Sequence, residues 1–96
     1  MKVFCHRLTI GSEPRQLPSV YTQESVVRFS TPPENAGAVY LAPTPADTQT
    51  VGTRFAIAPG TTFPFEILRL DMLWASGTVG DALDMMCEAT EMGGRE

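Results

Sequence analysis

Histidine is almost missing from this sequence: His6 is the only one in 96 residues. With one histidine, no His-rich metal site and no Ser-His-Asp set can be built within the chain except around that residue. The reading for His6 is a partly buried strand residue with a hydrogen-bond partner, not a ligand or a base. Basic residues are also few. Seven Lys and Arg stand against eleven Asp and Glu, a net charge of −4, and they are scattered. Sequence-independent nucleic-acid binding needs clustered cations to neutralise phosphates, so no nucleic-acid partner is expected. No apolar run approaches the ~20 residues that cross a bilayer, and no membrane partner is expected. The N-terminus, MKVFCHRLTIG, places Cys, His and Arg where the apolar core of a signal peptide would lie, and reads as a first strand.

Cysteine is limited to Cys5 and Cys87, near opposite ends of the chain. Terminal strands often pair in sandwiches, so a disulfide is geometrically possible. The expectation is two reduced, buried thiols. Asp71, Asp81 and Asp84 lie close in sequence but lack the alternating oxygen ligands of a calcium loop. Asp81 after Gly80 reads as a turn residue. No nucleophile–base pair and no metal-ligand spacing can be proposed. The chain is therefore expected to be no enzyme, with no catalytic residue, no metal and no cofactor.

What the sequence does contain is strand patterning. Residues 55–67, FAIAPGTTFPFEI, carry its densest aromatic cluster. Phe55 and Ile57 share one face of an extended segment, and Phe63, Phe65 and Ile67 share another; period-2 alternation marks strands with one buried side. Between them, Pro59 presets φ near −65° and Gly60 accepts the positive φ that a type II turn needs next. A hairpin that buries all five apolar residues is the expectation.

The remainder follows the same style. Residues 2–10 read as a strand with Phe4, His6, Leu8 and Ile10 on one face and Val3, Cys5, Arg7 and Thr9 on the other. Residues 24–30 form a second, with Val27 and Phe29 together, ended by Pro32-Pro33. After a turn at 34–37, residues 38–42 form a short strand, with Val39 and Leu41 on one side and Tyr40 opposite. Residues 43–53 read as a surface loop. Residues 68–72 fit a short helical turn as well as a strand, and a further strand begins at 73–75. Residues 82–88 conflict: Ala82, Met85, Met86 and Ala89 recur at helical spacing among good helix formers, yet Leu83, Met85 and Cys87 also alternate. Candidate contact residues are Tyr40, Trp74 and Met86. Tyr40 points away from Val39 and Leu41; Trp74 suits either a core or an interface; Met86 belongs to an adaptable pair with Met85.

The ordered series LPS (17–19), ENAGAVYLA (34–42), IAPG (57–60), FPFEI (63–67) and LDMLWASGTVGD (70–81) resembles small structural proteins encoded by tailed bacteriophages. These show a polar-Asn-x-Gly turn before a short aliphatic strand, then L-x-P-G, then L-x-x-L-x-x-x-G-x-x-G-D before the last strand. Two features depart from the pattern: the last strand carries Asp84-Met85-Met86-Cys87 where the family favours valine, and the loop between Leu41 and Phe55 is long. The resemblance favours strand for 82–88. It implies an all-β fold, a small antiparallel jelly-roll-like β-sandwich of about seven to eight short strands, in one domain at 1–90 with a flexible tail at 91–96. It further implies a non-catalytic virion component made in the host cytoplasm, a capsid decoration or cement protein. Its partners would be the major capsid protein, other virion proteins and its own copies, a trimer being favoured over a dimer. The alternative is a head-fibre or tail-appendage module that binds a host receptor or glycan.

Overall fold

The computed structural model describes residues 2–22, 26–67 and 69–91. Among them the chain forms nine strands: β1 (Lys2–Thr9), β2 (Arg15–Gln16), β3 (Val20–Tyr21), β4 (Val26–Ser30), β5 (Val39–Ala42), β6 (Phe55–Ile57), β7 (Thr62–Glu66), β8 (Trp74–Ser76) and β9 (Ala82–Glu91). Helical structure is limited there to two 3₁₀ turns, Asp47–Gln49 and Leu70–Met72. The second lies where the sequence fitted a helical turn. Two antiparallel sheets result, one ordered β1-β9-β4-β7 with β3 joined to the end of β9, the other β2-β8-β5-β6. The fold is an all-β sandwich, as the sequence indicated.

The core lies between the inner faces. Val27 and Phe29 of β4, Leu83, Met85 and Cys87 of β9, and Leu8 of β1 come from one sheet; Val39, Leu41, Ile57 and Ala75 come from the other. Ile10 and Leu70, from connecting segments, close the cluster. The alternation read in 26–30, 39–41 and 83–87 is the observed inside–outside pattern. For 82–88 the strand periodicity wins over helix propensity. β9 is a central strand of its sheet, with β1 and β4 on its two sides and β3 paired at its end, and its ladder hydrogen bonds outweigh propensities of a few tenths of a kcal/mol per residue. The strand continues to Glu91, which pairs with Val20, so position 91 belongs to β9 and not to the expected tail. Residues 92–96 lie outside the described part of the chain.

The expected hairpin at 55–67 does not form. β6 pairs with β5 and β7 pairs with β4, so the two segments belong to opposite sheets and the turn between them is an arch. Gly60 has φ +74° at the exposed turn. The arch is tied down by Thr31, which is buried at the end of β4. Its Oγ1 donates to Ala58 O at 2.6 Å and accepts from Thr61 N at 3.2 Å, and its carbonyl accepts from Gly60 N at 2.9 Å. Both strands end up at free sheet edges. Of the five apolar residues expected to be buried, only Ile57 is; Phe63 and Ile67 are half-buried, and Phe55 and Phe65 are 46% and 40% exposed. Phe55, Phe63 and Phe65 do point between the sheets, but at the rim, where no further strand among the described residues covers them.

Candidate interaction surfaces

The acidic residues that could have carried chemistry are held in three separate structural contacts. Asp81 is buried, and its carboxylate accepts from Ala36 N at 2.9 Å and Gly37 N at 3.1 Å, fixing the turn before β5. Asp71 receives a bidentate pair from Arg69, at 3.0 and 2.9 Å, and a bond from Ser19 Oγ. The hydrogen bonds from Arg69 hold the Asp71 carboxyl below the usual carboxylate range. Asp84 receives Arg7 Nε at 2.6 Å and Nη2 at 2.9 Å across β1 and β9, and this hydrogen bonding lowers its pKa as well. Among the described residues, no group of three or more His, Cys, Asp or Glu side chains could hold a metal ion. No buried side-chain nitrogen or oxygen there lacks a partner.

His6 is exposed instead of partly buried, although on the edge strand β1 it shares the inner face with half-buried Phe4 and buried Leu8. Its ring stacks on Phe4, with centroids 5.9 Å apart. Of the two cysteines, Cys5 departs from expectation. Cys87 is buried, and burial raises its pKa, with a smaller contribution from nearby Cys5; Cys5 itself is exposed. Cys5 pairs in register with Met86, and Cys87 with Phe4, so the two thiols point to opposite faces of one sheet. Cβ vectors that diverge in this way do not fit a disulfide without backbone movement.

Three surface depressions stand out among the described residues. The largest of the three, about 530 Å³, lies on the outer face of the β1-β9-β4-β7 sheet, among Cys5, Arg7, Arg28, Thr62, Asp84 and Met86. Register explains its composition: Cys5, Met86, Arg28 and Pro64 form one cross-strand row, and Arg7, Asp84, Ser30 and Thr62 the next. The second, about 330 Å³, is the mouth of the sandwich between β6 and β7, lined by Leu41, Arg54, Phe55, Phe63, Phe65 and Leu73. Phe55 and Phe63 bridge the sheets with ring centroids 4.4 Å apart, and Phe65 stacks on Phe63 at 6.1 Å. The third, about 320 Å³, is more polar and lies on the outer face of the other sheet, between Tyr40, Gln49, Arg54, Ser76 and Thr78.

Tyr40, Trp74 and Met86 do not form one patch. Tyr40 and Trp74 lie on the outer face of the β2-β8-β5-β6 sheet, in register with Ser76 and Ala42 respectively. Both are half-buried, and the Arg54 guanidinium sits 3.7 Å from the centroid of the Tyr40 ring. Trp74 is thus outside the core cluster. Met86 is 47% exposed on the opposite side of the molecule. Sequence reasoning missed the rim formed by Phe55, Phe63 and Phe65 as a surface, because alternation shows which side a strand residue faces but not whether the strand is at an edge. One signal was available: Pro64 lacks the N–H a central strand needs, which confines β7 to an edge.

No protein-family model matches the chain. No curated protein matches it either. A solved structure does: a chain described under "Bacillus endospore appendages form a novel family of disulfide-linked pili", with a TM-score of 0.52 and 13% identity over 93% of this chain and 87% of that one. At that identity the likeness is one of fold.

Proposed function

We propose that this chain is a non-catalytic structural subunit of a bacteriophage particle, a capsid decoration protein that acts by burying surface against the major capsid protein and its own copies. The observation that carries the reading is the aromatic rim. Three phenylalanines that would stabilise a closed core instead line the open mouth of the sandwich, two of them more than a third exposed. An exposed cluster of large apolar side chains is the usual mark of a contact surface. The ordered turn motifs, which resemble those of phage structural proteins, supply the particle. The net charge of −4 suits docking on basic patches, so salt should weaken attachment.

A second reading, a subunit of a head fibre or tail appendage that contacts a host receptor, is favoured by the solved structure of similar fold, which belongs to a study of assembled appendages. Assembly of particles without this protein separates the two. Capsids that form but lose resistance to heat or low salt support decoration. Particles of unchanged stability that fail to attach to host cells overturn it in favour of the appendage.

A further inference from the structure

The four edges of the two sheets are not equally protected. β2 has two residues and β6 has three, too short to template pairing. β7 is five residues long but carries Pro64 at its centre. Val27 and Phe29 of β4 face Phe65 and Phe63 across the ladder, while Arg28 points its main chain towards Met86 of β9. The main chain of Pro64 therefore faces outward, and the free edge of β7 has no donor at its middle position. β1 is different. It runs for eight residues, Lys2–Thr9, in unbroken register with β9 and contains no proline.

The direction of its main-chain groups can be read from its end. Ile10 N donates to Asp81 O at 2.8 Å and Ile10 O accepts from Gly80 N at 3.0 Å, so even-numbered residues face β9. The outward groups belong to Val3, Cys5, Arg7 and Thr9. Thr9 O is already used, by Arg15 Nη1 at 3.2 Å. Val3, Cys5 and Arg7 are exposed, and among the described residues their main chains present a free row of donors and acceptors.

We infer that β1 is the site at which two copies of this chain join, antiparallel about a two-fold axis at Cys5, so that the two five-stranded sheets become one. The inference rests on the reading of the chain as a subunit that works through its own copies, and not on the identity of the particle. Symmetry limits the register. A two-fold axis that relates antiparallel copies of one strand is normal to the sheet, so odd residues must face odd residues. Centring on Phe4 sets Arg7 opposite position 1, outside Lys2–Thr9 and the described residues. Centring on His6 sets two imidazoles face to face and calls on the Thr9 carbonyl that Arg15 occupies. Centring on Cys5 pairs Val3 with the partner's Arg7 and satisfies every outward group from Val3 to Arg7. No two basic residues then oppose each other, and Arg7 stays neutralised by Asp84. On the inner side, half-buried Phe4 meets the partner's His6, extending the Phe4–His6 stack across the axis.

The test is amide hydrogen exchange on the purified protein with light scattering on the same samples. The expected result is a mass twice 10.4 kDa at high concentration, with the Val3, Cys5 and Arg7 amides exchanging at least about tenfold more slowly than on dilution. The Phe4, His6 and Leu8 amides, paired with β9, should be protected at both concentrations. Cys5→Pro removes an outward donor without touching a β1–β9 bond, and should give a single-chain mass with an unchanged Trp74 near-ultraviolet signal; Arg7→Pro serves if that variant fails to fold. A dimer or trimer whose Val3, Cys5 and Arg7 amides exchange freely overturns the inference, as does a single chain at every concentration. Either of these leaves attachment to particles, and hence the decoration reading, to stand or fall separately.

Discussion

The Asn35 side chain pairs with the main chain of Ala82 as a strand would: its Nδ2 donates to Ala82 O at 2.9 Å and its Oδ1 accepts from Ala82 N at 3.0 Å. The β4–β9 register runs through Ser30 and Asp84, and its next step would set Pro32 opposite Ala82. Proline has no N–H to give, and the Asn35 amide fills the gap with one donor and one acceptor. Beside it, the Asp81 carboxylate takes the Ala36 and Gly37 amides, so the 34–37 turn and the start of β9 hold each other.

Asn35→Ala should therefore lower stability by about 2–3 kcal/mol, since it leaves both Ala82 groups unsatisfied in a partly buried position. Asn35→Asp keeps the acceptor but turns a carboxylate towards the Ala82 carbonyl, and should be no better at neutral pH. Urea denaturation followed by Trp74 fluorescence measures both. A loss under 0.5 kcal/mol for Asn35→Ala would show that water replaces the side chain at no cost.

Thr31 should matter for one hydroxyl. Thr31→Val preserves shape and removes the bonds to Ala58 O and Thr61 N, with an expected cost of about 1–3 kcal/mol. Gly60→Ala should cost about 1–2 kcal/mol through its φ of +74° alone. The nearest atom to an added Cβ, in Pro33, lies at an ordinary 3.6 Å. Denaturation midpoints for the two variants test whether the arch contributes to global stability or opens on its own.

These two locks mark how far the sequence could be read. The turn at 34–37, the GD before β9 and the Pro59-Gly60 turn were legible as turn chemistry, and the faces of β4, β5 and β9 were legible from alternation. That Asn35 and Asp81 meet was not, because a side chain that caps another segment's ladder leaves no periodic trace. The aromatic segment misled for a related reason. A hairpin and an arch share the same strand–turn–strand pattern, and the choice depends on whether β5 and β4 compete more strongly for β6 and β7 than those two do for each other. Cys5 came out exposed because its face of β1 is the outer one, shared with Met86, and the alternation in 2–10 did not say which of its two faces is buried.

The two arginine–aspartate pairs predict a response to acid. Asp71 and Asp84 both titrate lower in the folded chain than in the unfolded one, mainly through hydrogen bonds from Arg69 and Arg7. Their stabilisation is fully present above the unfolded value of about 3.9 and is lost as pH falls through the folded values. The Asp71 side chain is only 10% exposed, whereas Arg7 and Asp84 are 60% and 37% exposed. Asp71→Asn should consequently flatten the acid limb of the stability curve more than Asp84→Asn does. Raising salt to about 0.5 M should weaken the Arg7–Asp84 contribution preferentially. Urea midpoints between pH 7 and pH 3 decide the order; equal effects from the two variants would mean that exposure does not govern it.

The aromatic rim gives a comparison between two phenylalanines of one sheet. Phe29 is fully buried in β4, and Phe65, two rungs away on β7, is 40% exposed. Phe29→Ala should cost about 3–5 kcal/mol and threatens folding in so small a domain. Phe65→Ala removes less buried area and should cost about 1–2 kcal/mol in the isolated chain. If the rim is the surface that meets the capsid, the same substitution should weaken attachment far more than it weakens the fold, because a half-exposed aromatic becomes fully desolvated only in the complex. Paired measurements of unfolding and of capsid binding for Phe65→Ala, with Met86→Ala on the opposite face as a control, separate the two roles. A Phe65→Ala chain that unfolds as readily as Phe29→Ala would place the ring in the core of the working protein. One that folds well and binds capsids unchanged would move the contact surface elsewhere.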